Sequence, residues 1–129
     1  MDDWRPWRPS NRATMHELSI AMSIIEMAEE EAERRGGVQV LAVHLKLGDL
    51  SGVVKEALLS SYEMASEESV LKGSRLLIET IPVSVYCSNC RSEQKLHSIQ
   101  HFCCPACGTA TPDVTRGKEL EVVALEIAA

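Results

Sequence analysis

Between positions 18 and 35 the apolar residues Leu18, Ala21, Ile25, Ala28 and Ala32 return at intervals of three and four, and the glutamates fall mostly between them. That period predicts an amphipathic helix with one buried stripe. Arg34-Arg35 followed by Gly36-Gly37 ends it, placing cations at the negative end of the helix dipole and glycines where positive φ is needed. The period then drops to two: Leu41, Val43, Leu45 and Leu47 alternate with Ala42, His44 and Lys46, as in a strand with one face on the core. A second helix is expected over residues 53–66, with Val54, Ala57, Leu58, Ser61 and Ala65 as its apolar stripe. Two more strands are expected at residues 76–85 and 120–127, where apolar residues occupy both parities and the inward face stays open. The order α-β-α-β, an insertion, then β predicts an α+β fold: two helices packed on one face of a three-stranded, mostly antiparallel sheet.

All five cysteines lie in the insertion, residues 86–118. Cys87 and Cys90 form one C-x-x-C pair, and Cys104 and Cys107 form another, followed by Gly108. Each pair sets two thiolates on a tight turn whose amides point at sulfur, and two such knuckles make a tetrahedral S₄ cage for a structural zinc ion. A closed cage supplies folding energy to a segment too short for a core of its own. Ligand softness alone also admits iron in such a cage. Neither pair runs from a β-strand into an amphipathic helix, as a thiol–disulfide exchange site requires. Cys103 is expected to be a buried or spectator thiol, and His97 and His101 ordinary loop residues, since the four cysteines already complete the coordination.

A chain of 129 residues with 45% apolar content supports one modest core plus a small metal-stapled module. No run is long and apolar enough to cross a bilayer, and the first residues lack a signal-peptide h-region, so a cytoplasmic location is expected. In that reducing compartment paired cysteines point to metal and not to disulfides. The formal charge of −6 disfavours a phosphate backbone as partner. Residues 1–14 carry a Trp-Arg-Pro repeat without helical or strand period and are expected to form a disordered extension, with Met15 as a ready alternative start.

Met15-His16-Glu17-Leu18-Ser19-Ile20 opens the first helix, Leu47-Gly48 closes the first strand, and Gly117-Lys118-Glu119 precedes the last. Together with the cysteine spacing, these features resemble the HypA/HybF family of hydrogenase-maturation nickel chaperones, from Met15 to about Ile127. The resemblance implies that His16 is the principal nickel ligand with Glu17 beside it, that Ni(II) is transient cargo, and that Cys87, Cys90, Cys104 and Cys107 carry Zn(II). It divides the chain into an extension (1–14), an α/β nickel-binding domain (15–85 and 119–129) and a zinc-binding module (86–118). It also implies delivery to a [NiFe]-hydrogenase large subunit with a GTPase maturation partner, and it is compatible with a weak homodimer. Imidazole and deprotonated amide nitrogens suit tetragonal nickel, whereas a thiolate cage suits zinc. The terminal amine joins the nickel donors only in a chain that starts at Met15.

The residues alone also admit a reading without metal: Thr14-x-x-Glu17 matches the capping box, with Glu17 reaching back to a free amide at the helix start. No nucleophile–base pair or phosphate-cradling glycine loop is present, so no catalysis is expected. The alternative from another class is a zinc-ribbon module for nucleic acid or a transcription complex, drawing on Arg91, Lys95, Arg116 and Lys118. Only Tyr86 and Phe102 stand nearby for base stacking.

Overall fold

The computed structural model describes residues 17–96 and 102–128. Helix α1 (Glu17–Arg34) runs as its apolar period requires and buries Ile20, Ala21, Ile24, Ile25, Ala28 and Ala32. Leu18, placed at the head of that stripe by spacing, stands 44% exposed. The helix closes with Gly37 N–H donating to the Ala32 carbonyl at 2.9 Å, and Gly36 and Gly37 adopt φ of 91° and 83°.

Strand β1 (Val40–Gly48) follows, then α2 (Lys55–Ser66) and β2 (Arg75–Ile81). The α2 crossover makes β2 parallel to β1, with Leu45 opposite Ile78. The last strand of the chain, called β6 because three lie between, is Leu120–Ile127 and pairs antiparallel with β1 on its other side. The two helices and three strands are those expected, but with one parallel and one antiparallel pair the sheet is mixed where a mostly antiparallel one was expected. A register shift between Val40 and Ala42 alters the predicted alternation at its start. Val40 is buried there, while Leu41 is 44% exposed.

Val43, Leu45 and Leu47 of β1, Leu76 of β2, and Leu120 and Val122 of β6 form the floor of a core closed by α1 and by Leu58 and Tyr62 of α2. The buried stripe of α2 is therefore Leu58, Tyr62 and Ser66, whereas Val54 and Ala57, expected in it, are exposed. Tyr62 keeps its hydroxyl satisfied through Ser74 Oγ at 2.6 Å.

The single strand expected at 76–85 is two. Pro82 lacks the N–H a ladder needs, and the chain leaves the first sheet after Ile81. It re-forms as β3 (Ser84–Cys87), which pairs antiparallel with β4 (Ser92–Lys95) and with β5 (Val114–Arg116) in the order β4-β3-β5. The two sheets meet at a tight seam. A Cβ on Gly48 would lie 2.2 Å from both the carbonyl carbon and oxygen of Gly117, and Leu50 N–H donates to that same oxygen at 2.6 Å. Gly48 N–H donates to the Glu119 carbonyl and Asp49 N–H to the Ile81 carbonyl, so one short turn holds both strands that connect the sheets.

Candidate metal centre

Cys87 ends β3 and Cys90 lies within the turn of residues 88–91 that leads into β4, where Arg91 takes a positive φ of 55° to complete the reversal. Cys90 N–H donates to Cys87 Sγ at 3.4 Å, the amide-to-sulfur contact that defines a knuckle. The second knuckle is closed by Gly108 N–H to the Cys104 carbonyl and by Cys104 N–H to the Thr109 carbonyl, both 2.8 Å. Gly108 at φ 79° provides the left-handed residue that such a turn demands.

The four sulfurs of Cys87, Cys90, Cys104 and Cys107 lie within 4.8 Å of one another. Cys87 Sγ is 3.6 Å from Cys107 Sγ, and Cys90 Sγ is 3.9 Å from Cys104 Sγ. A tetrahedral ion with zinc–sulfur bonds of about 2.3 Å needs thiolates about 3.8 Å apart, close to these two separations, so the donor set fits such an ion. Cys87 and Cys104 are buried, and Cys90 and Cys107 are exposed, so the cluster lies half in the module and half at its surface.

Metal-free, the thiols are unequal. Thr109 Oγ1, 3.2 Å from Cys107 Sγ, holds the Cys107 thiol down to about 5, with the Asn89 side chain assisting. Cys90 is pushed up to about 12, first by its hydrogen bond with Cys107 and then by that with Cys104. The pair thus shares its proton unevenly, with Cys107 on the thiolate side and Cys90 on the thiol side. Ligand spacing does not mark Thr109; its place directly after the Cys-Gly of the second knuckle is the signal for it. Cys103 lies outside the cluster, is exposed, and bridges Ala110, which makes it the spectator of the two expected forms and not the buried one.

In the α/β core, Glu17 opens α1. One of its carboxylate oxygens accepts the backbone N–H of Val54 at 3.0 Å, across from the N-terminus of α2. Val54 has extended φ and ψ and no side-chain cap, so Glu17 supplies from a distant segment an acceptor that the α2 start lacks. The capping box expected between Thr14 and Glu17 falls outside the described residues. His16, Met15 and Thr14, together with His97, His101 and residues 1–13, lie outside the described residues. Of the basic residues proposed for nucleic-acid contact, Arg116 is paired with Glu93 at 3.8 Å.

The family model for hydrogenase/urease nickel incorporation, metallochaperone, hypA, matches residues 15–127. The chain is 48% identical over 112 residues to the hydrogenase maturation factor HypA of Roseiflexus sp. (strain RS-1), covering 87% of this chain and 91% of that relative. It is 44% identical over 112 residues to the corresponding factor of Chloroflexus aurantiacus (strain ATCC 29366 / DSM 635 / J-10-fl), covering 87% and 98%. Among solved structures, the solution structure of the Ni metallochaperone HypA from Helicobacter pylori superposes with a TM-score of 0.61 at 29% identity, over 89% of this chain and 99% of that one. A mixed three-stranded α/β core carrying a separate four-cysteine ribbon, with this extent of likeness along both, leaves one assignment: the chain belongs to the HypA family of nickel-incorporation metallochaperones.

Proposed function

We propose that this chain binds Ni(II) at His16 and Glu17 and passes it to a [NiFe]-hydrogenase large subunit, while Cys87, Cys90, Cys104 and Cys107 hold a structural zinc ion. The observation that supports this reading is the clustering of the four sulfurs, which suits a closed thiolate cage and favours a separate, more open set of donors for the cargo. A metal that must be released is better held by few ligands at a surface, and Glu17 stands at the first turn of a helix next to His16. Imidazole and amide nitrogens provide the donors that Ni(II) accepts in tetragonal geometry. The amine of Met15 adds a further donor in a chain that begins there.

The zinc ribbon then serves as a fixed surface for partners, a GTPase of the maturation pathway among them, and the chain performs no catalysis. Among the described residues no helix is long and apolar enough to cross a membrane, and cytoplasmic action is consistent with the paired thiols. The neutralisation of Arg116 by Glu93 weakens the nucleic-acid alternative.

Metal analysis and calorimetric titration of the wild type, His16→Ala and Cys104→Ala test the division. His16→Ala is expected to lose high-affinity nickel and keep zinc, and Cys104→Ala to lose zinc. Full nickel stoichiometry and affinity in His16→Ala would sink the assignment. Nickel affinity is also expected to fall as pH drops through the histidine range, because the ligating imidazole must be neutral.

A further inference from the structure

Between the two sheets, beside Pro82, lies a cleft of about 370 Å³. Glu79, Thr80 and Ile81 line it from the end of β2, and Ser84, Glu93, Lys95 and Arg116 line it from the ribbon. Strand register explains the ribbon side. Ser84 on β3 stands opposite Lys95 on β4 and opposite Arg116 on β5, so the three form one row across the small sheet and project from the same face. Two strand spacings separate the cations, about 10 Å between their Cα atoms, with the buried Ser84 in the middle. The charges of the cleft balance, two cations against two carboxylates, but they are not equally paired. Glu93 is engaged twice, by the Thr115 hydroxyl and by Arg116 Nε at 3.8 Å. Among the described residues Lys95 and Glu79 have no ion pair. Lys46 is beside Glu79 in the β1–β2 register, yet it neither pairs with it nor lines the cleft. One cation therefore stands unpaired on the ribbon side and one carboxylate on the β2 side, each with a hydroxyl nearby in the row or chain, Ser84 and Thr80.

We propose that this cleft binds a small zwitterion of the α-amino-acid class, its carboxylate received by Lys95, Ser84 and the terminal nitrogens of Arg116, and its ammonium by Glu79. This reading is independent of where nickel binds. The volume stands at the lower end of the range for small-molecule pockets, which suits a ligand of amino-acid size. A simple anion leaves Glu79 unpaired beside it, and a simple cation leaves Lys95 so. A ligand carrying both charges satisfies the two at once, and that difference is the source of selectivity. The half-buried Ile81 and Pro82 supply the apolar part of the lining, which favours an aliphatic side chain over a charged one. Because the two receiving groups belong to different sheets, an occupied cleft clamps the ribbon to the α/β core across Pro82.

L-Leucine is the probe, titrated into the full chain with zinc present and followed by amide chemical shifts. Saturable shifts are expected at residues 79–84, 93–95 and 116, on both sides of the cleft, in the millimolar range or below. Two truncated probes separate the charges: isocaproate lacks the ammonium, and isoamylamine lacks the carboxylate. Each is expected to bind about tenfold more weakly than L-leucine, the worth of one charge-assisted hydrogen bond. Lys95→Gln and Glu79→Gln, both at exposed positions outside the core, are each expected to weaken L-leucine about tenfold. Glu79→Gln should in addition leave isocaproate unaffected. Absence of saturable shifts with L-leucine, binding of isocaproate as tight as that of L-leucine, or unchanged affinity in either variant overturns the proposal.

Discussion

Glu17 and Val54, the first residue of one helix and the residue just before the other, are joined by a carboxylate-to-amide hydrogen bond of 3.0 Å. The bond ties the start of α1 to the start of α2. Glu17→Ala is expected to lower the stability of metal-free protein by about 1 kcal/mol, the usual worth of a charge-assisted helix cap at a surface. Glu17→Gln, which keeps an acceptor, should lose less. Urea unfolding with nickel excluded measures both, and an unchanged midpoint in Glu17→Ala would reduce this contact to a bystander.

Gly48→Ala presents a different problem, because Gly48 is required by proximity and not by a positive φ. Its added carbon would sit 2.2 Å from two backbone atoms of Gly117, and neither has a flexible end that can yield. The expected loss is about 3 kcal/mol or more, at or above the upper range for overpacked sites. At Gly36, where nothing lies within 4 Å and only the φ of +91° is unfavourable, alanine should cost about 1 kcal/mol. The ratio of the two urea midpoint shifts separates crowding from backbone strain.

Glu31 is nearly buried at the end of α1, where it accepts from Arg34 and, at 2.6 Å, from Arg35 Nε. Arg34 first, and Arg35 after it, hold its carboxyl below the ordinary carboxylate range against the opposing effect of burial. The folded state therefore binds this proton less readily than the unfolded chain does. Its stabilising contribution is fully present above the unfolded value and is lost as pH falls through the folded one. Glu31→Gln is expected to be less stable than wild type at pH 7, with the gap narrowing toward pH 3, in unfolding curves recorded across that interval.

Metal removal should act regionally. Chelation, or Cys104→Ala, is expected to abolish amide protection in residues 84–116 while the helices and the β1–β2 pair stay protected, as hydrogen exchange would record. Cys103→Ala should leave zinc stoichiometry unchanged, since Cys103 lies outside the four-sulfur cluster. Loss of zinc on that substitution would show that the ligand set shifts register.

The sequence made the helices and β1 legible because each has a single buried face, and it made the cysteine cluster legible because ligand spacing is local. Where it misled, long-range contacts decided the outcome. Residues 76–85 carry apolar residues on both parities and read as one strand, yet Pro82 hands the chain from one sheet to the other. Val54 appeared to belong to a buried stripe, but α2 turns Leu58, Tyr62 and Ser66 inward. The bond from Val54 N–H to Glu17 has no signal in the sequence, because only the packing of α1 against α2 brings the two near. The direction of β2 depended on the α2 crossover, which periodicity does not encode.

Ser84 of β3 faces Arg116 of β5 at the base of the ribbon. The excursion that leaves the first sheet after Ile81 and rejoins it at Leu120 is thus pinched near its own ends. Once that pairing has formed, β6 searches for its place beside β1 as though it followed β2 through a short connection, and the loop-closure entropy of the intervening chain has already been met within the ribbon. The ribbon is in this sense a shortcut in the folding of the sheet it does not belong to, and weakening it should slow the docking of the last strand as well as loosen the cysteines.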